Sequence, residues 1–144
     1  MQITSASETP DASERADLSP AAEVSWLAIR QPAVIRFLES RLSSDDGDAL
    51  AAGLELSVRV LGQLERADGV PPPRLHIRQL DYGVAAHMNG TGDPQLSDWA
   101  WRQLDRLPLV LAAVEARRVI ACVAAVLGAA LEARSAGGDD SRLD

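Results

Sequence analysis

Thirteen consecutive apolar residues, Val119 to Leu131, constrain this chain more than any other feature, because water must be kept from every side of a helix built from them. The run is short of the about twenty residues that a membrane span takes, and Glu115, Arg117 and Arg118 stand directly upstream of it. No membrane span is expected, so protein must cover the run.

The spacing predicts a single helix over residues 109–134, opening after Pro108. At roughly 100° per residue, Leu107, Val110, Leu111 and Val114 point one way, while Val119, Ile120, Val123, Val126, Leu127 and Leu131 centre on nearly the opposite side. The change falls at Glu115, Arg117 and Arg118. A helix that is apolar on both sides is either surrounded by its own bundle or covered by a second chain. The first reading makes it the central helix. The second makes Val123 and Leu127 part of an interface with another protein or with a second copy. Ala121, Ala124, Ala125, Gly128 and Ala129 add a small-residue side suited to close helix approach.

Upstream, helices alternate with breakers. Ser19, Pro20 and Glu23 form a start signal for a helix to about Ile29, and Pro32 closes it and opens the next. Val34, Ile35, Leu38 and Leu42 then share a face, and Ser43 to Asp46 supply a turn and a cap. From Gly47 to Ala67, Leu50, Leu54, Val58, Leu61 and Leu64 recur at helical spacing opposite Glu55, Arg59, Gln63 and Arg66. Glu55 precedes Arg59 by four residues, the favourable order for an exposed ion pair. Gly53 and Gly62 each cost a helix roughly 1 kcal/mol relative to Ala, which is expected to reflect close packing. Asp68 and Gly69 end this helix, and Pro71, Pro72 and Pro73 make a stiff connector.

Residues 74–88 fit a helix through Ile77, Leu80, Val84 and Met88 better than a strand without a partner. In the loop that follows, Gly90 suits a helix end, Asp93 an N-cap and Pro94 a first turn, so no anion cradle is needed to explain them. From Pro94 to Leu107, Leu96, Trp99, Ala100, Gln103, Leu104 and Leu107 share the inner face. Trp101 falls on the flank, either half-buried or an anchor for a partner.

The ends differ from the body. Residues 1–18 and 135–144 together hold seven of the 21 acids and two of the 14 arginines, which places −5 of the net −7 there. Both read as disordered acidic tails around a helical domain at 19–134, since they lack the large apolar residues that offset ordering entropy. The body is left near neutral, and its arginines are scattered rather than gathered into a stripe, so no nucleic-acid partner is expected. Lys is absent, which removes lysine chemistry; an Arg-only, Ala-rich composition fits a GC-rich bacterial coding sequence. With no secretory signal pattern at the amino terminus and a single Cys, the expected location is cytoplasmic.

Chemistry is sparse. His76 and His87 are eleven residues apart, about 16 Å along one helix, and cannot share a metal. Cys122 sits in an apolar run with no activating neighbour in sequence, and no nucleophile elbow, phosphate loop or dinucleotide fingerprint occurs. Arg117 and Arg118 are the exception: beside a central helix, one should be partly buried and should seek an acid such as Glu115, Asp81, Asp98 or Asp105, or offer its guanidinium to a ligand or partner. The expectation is an all-α compact bundle of five or six helices without cofactor or metal. It would act as a non-enzymatic protein-interaction module, such as an adaptor, secretion chaperone or immunity-type inhibitor. Trp101, Arg117, Arg118, Val123 and Leu127 are its binding residues. The alternative is a small-molecule-binding regulator with an apolar pocket and an Arg anchor. A catalytic His87 ranks third.

Overall fold

A computed structural model describes residues 20–42 and 47–143, with side chains at 22, from 25 to 42 and from 47 to 135. It is an all-α bundle of six helices, with no strand among the described residues. They are α1 (Pro20–Arg30), α2 (Pro32–Leu42), α3 (Asp48–Asp68), α4 (Ile77–Met88), α5 (Pro94–Leu104) and α6 (Ala113–Leu143). The expected tail at 1–18, the Ser19 cap and the Ser43 to Asp46 turn lie outside the described residues. The backbone of α6 runs on to Leu143, past the boundary expected at 134; side chains from 136, and the reading of 135–144 that rests on them, also lie outside.

Helix α6 is the axis of the bundle. Its most extensive packing is with α4, followed by α3 and α5, and α2 also reaches it. All eight residues from Val119 to Val126 are buried, which on a helix amounts to more than two full turns covered by the chain's own helices. Of the two covers that the apolar run allowed, this is the first. Val123 is completely buried, so its place is the core rather than an interface.

The start of α6 corrects the sequence reading. Residues 109–112 are not helical: Leu107, Leu109 and Leu111 turn inward while Pro108, Val110 and Ala112 face water. That alternation of two is the signature of extended chain. The apparent flip of the apolar face came from projecting Val110 and Leu111 onto a helix they do not join. Counted from Ala113, α6 has Glu115 in its first turn, where a carboxylate complements the helix dipole.

Close approach between helices is set by Gly83 of α4. A Cβ there would fall 3.0 Å from the Cβ of Ala125, tighter than ordinary contact, so the small residues at both positions let α4 lie directly on α6. Gly53 likewise packs under Leu38 and Leu42. Gly62 meets nothing, so the close packing expected there is absent. In α3 the inner face comprises Ala49, Ala52, Gly53, Leu56, Ser57, Val60 and Leu61, while Leu50, Leu54, Val58 and Leu64 are half-buried at its edges. The Glu55–Arg59 pair forms at 2.7 Å, exposed, and contributes about 0.3–0.5 kcal/mol.

The connector between α3 and α4 is held by one side chain. Gln31, between α1 and α2 and 1 % exposed, accepts a hydrogen bond from the Leu75 N–H at 2.9 Å and donates to the Pro73 carbonyl at 2.9 Å. Prolines 71–73 have no N–H of their own to fold this stretch, so Gln31 ties it to the core and lets Leu75 bury. As a result α4 begins at Ile77 rather than at 74. His76 caps it, its N–H donating to Gln79 Oε1 at 3.0 Å.

Candidate functional site

The turn from α4 to α5 and the extended entry to α6 bring Trp101 to the surface. Gly90 takes φ 83, a left-handed conformation that favours glycine, and reverses the chain after α4. Asp93 caps α5, accepting from the Gln95 N–H at 2.9 Å, with Pro94 in the first turn. Ala100, Gln103 and Leu104 then face the core, and Trp101 is turned outward, 39 % exposed.

Trp101 is shared by two adjoining clefts. One, of about 300 Å³, is walled by His87 and Met88 of α4, Ser97 of α5, and Arg117, Ile120 and Ala121 of α6. The other, of about 270 Å³, is walled by Leu104, Asp105, Leu109, Val110, Leu111 and Ala116. They adjoin at the indole, the one side chain common to both walls, and are together the Trp101 groove. Its rims leave large apolar groups in water: Val110 is 95 % exposed and Met88 58 %. Val114, one turn before Arg117 on α6, is exposed as well.

The groove unites Trp101 and Arg117 and separates them from the other residues read as binding. Arg117 and Arg118 are both exposed, in the first turns of α6, and neither has an ion-pair partner among the described residues. Burial of one of them was expected from a helix that was central along its whole length. Ala116 is buried, but continuous cover of α6 begins at Val119 and both guanidinium-bearing residues lie on its open side, so that expectation fails. Arg118 lies on another side, where it and Arg41 both act on Cys122, and Asp81 is already paired with Arg41 at 3.0 Å. Leu127 is half-buried in a third cleft with Leu96, Trp99 and Arg102.

Sequence reasoning did not place His87 in this groove. Its ring lies against Gly92, where any Cβ would collide with it, and burial lowers its pKa against the opposing pull of Asp93. Ser97 donates its hydroxyl to the Pro94 carbonyl at 3.3 Å rather than to His87, so the two do not form a nucleophile and base pair. Cys122 is buried, and desolvation pushes its thiol up to about 12. Among the described residues no three metal-ligating side chains gather, and no helix is long and apolar enough to cross a membrane.

A larger cleft, of about 590 Å³, lies between the end of α3, prolines 71–73 and Ala130, Ala133 and Arg134 of α6. Its charges are closed on themselves, since Arg134 pairs with Asp68 at 3.0 Å. The Trp101 groove differs in having both exposed apolar groups and an unpaired guanidinium. These features define a helical bundle with an amphipathic surface groove at Trp101. No known family, curated protein or solved structure matches the chain.

Proposed function

We propose that this protein is a non-enzymatic protein-interaction module whose contact surface is the Trp101 groove. The observation that carries the reading is the position of Trp101, shared by two clefts of mixed polar and apolar lining, with Val110 almost wholly in water beside it. A large aromatic at the centre of an apolar patch with a polar rim is the composition of a contact hot spot. Both clefts are half-open rather than enclosed, which suits a polypeptide segment lying across them better than enclosure of a small ligand. Arg117 would supply direction by meeting a carboxylate.

Selection from a displayed library of random peptides tests this without a known partner. The wild-type chain should enrich peptides with apolar residues and at least one acid, and a Trp101→Ala, Val110→Ser double variant with unchanged circular dichroism should lose them. No enrichment, or the same peptides on both proteins, would count against the reading.

A further inference from the structure

The connector from α3 to α4 has a period that neither a helix nor a strand would give it. From Val70 to His76 every residue is exposed except Pro72, half-buried, and Leu75, buried, so each third residue turns inward. Three residues per turn is the period of the polyproline II helix. A strand would have turned Arg74 inward after Pro72, as the alternation at residues 107–112 does. The cause is local: each proline fixes its own φ, and a residue before a proline is pushed to extended ψ, so Pro71 and Pro72 are held at both dihedrals. Gln31 holds the segment from its inner side, donating to the carbonyls of Pro72 at 3.4 Å and Pro73 at 2.9 Å. Two ridges therefore face outward, Val70 with Pro73 and Pro71 with Arg74.

The chemistry of these ridges selects what can bind them. Prolines 71–73 have no N–H, so the segment offers a strand no donor to pair with. It offers flat apolar rings and acceptors: among the described residues no donor meets the carbonyls of Val70 and Pro71. Trp and Tyr match both, since each packs a ring face on a pyrrolidine and donates an N–H or O–H to a carbonyl. Arg74 continues one ridge, exposed and without an ion-pair partner among the described residues. That end calls for a carboxylate. We propose that Val70 to Arg74 is a preformed polyproline II ligand, gripped by a partner domain whose groove is lined by Trp and Tyr and carries an acidic residue against Arg74. The prolines and Gln31 have already ordered the segment, so binding it costs little conformational entropy. This surface shares no residue with the Trp101 groove and does not depend on the reading of that groove.

An array of isolated SH3 and WW domains, which are built on such grooves, supplies the probes. The full chain, labelled at its amino terminus, is applied to the array, and each domain that retains it is titrated in solution. The wild type should bind at least one domain with a Kd in the micromolar range. Replacing Pro71 and Pro73 together by Ala removes two outward rings but keeps the carbonyl that Gln31 holds, and should weaken binding about a hundredfold, at about tenfold for each ring. Arg74→Glu should weaken it about tenfold. Arg74 is exposed, so the melt of this variant should match the wild type, and its loss of binding reads the contact even if the proline variant is destabilised. Arg102→Glu makes the same charge change on α5 and should bind as the wild type does, and so should Trp101→Ala. A wild type that binds no domain, or binding that survives either Arg74→Glu or the proline pair, overturns the proposal. Binding lost with Arg102→Glu or Trp101→Ala places the contact elsewhere and equally overturns it.

Discussion

Val123→Glu is expected to leave the chain unfolded at room temperature. Val123 is fully buried at the middle of α6, and its neighbours Val119, Ile120 and Val126 are buried as well. An ionised carboxylate there would have no cation to meet and no water to reach, a penalty of several kcal/mol. Domains of this kind have only about 5–15 kcal/mol of stability to lose. Far-UV circular dichroism should show the helical signal gone and urea titration should show no cooperative transition. Leu127→Glu makes the useful contrast: this side chain is half-buried at a cleft, where a carboxylate can turn to water, so about 1–2 kcal/mol and a folded chain are expected. A folded Val123→Glu protein would mean that α6 is not covered as described.

The second large effect is expected at Gln31. Gln31→Leu keeps an apolar volume in place but removes the acceptor for the Leu75 N–H and the donor to the Pro73 carbonyl, leaving both without their protein partner. The buried Leu75 N–H left unsatisfied costs about 1–3 kcal/mol, while the carbonyl of exposed Pro73 can turn to water, so a loss of about 2 kcal/mol and a melting temperature lower by roughly 6 °C are expected. Hydrogen exchange at the Leu75 amide localises the effect. It should be among the slower amides in the wild type and become fast in the variant, while amides at the middle of α6 remain slow. Slow exchange at Leu75 in both proteins would show that something other than Gln31 holds the connector.

What the sequence made readable follows from how local each cause is. The Glu55–Arg59 pair, the Asp93 cap with Pro94 and the Gly90 turn depend on neighbours within a few residues, and each was legible. That the Val119 to Leu131 run must be covered by protein was legible too, because its apolar length leaves a helix no polar side to show; which chain covers it was not, and the structure buries Val119 to Val126 while Leu127, Gly128 and Leu131 are half-buried. The stretch Leu107 to Ala112 was not. A short apolar run carries both helical and extended periods, and here the alternation of inward leucines with outward neighbours prevailed.

Long-range pairings had no local trace. Gln31 reaches a connector more than forty residues away, and nothing in its neighbourhood marks it. Trp101 and Arg117 were each conspicuous in sequence, but their meeting, and the arrival of His87 beside them, depend on how α4, α5 and α6 cross. The expected packing at Gly62 failed for a related reason: a helical glycine reports the absence of a side chain, not the presence of a neighbour.

Cys122 gives the most direct test that α6 is covered by its own chain. Burial holds its thiol neutral and pushes it up to about 12; this favours the fold below the ordinary thiol range, and the contribution fades as pH rises towards that value. Under native conditions near neutral pH, the rate of labelling by a small disulfide reagent should therefore be set by opening of the fold, far slower than for the urea-unfolded chain. Labelling of the folded protein as fast as that of the unfolded chain would contradict the account.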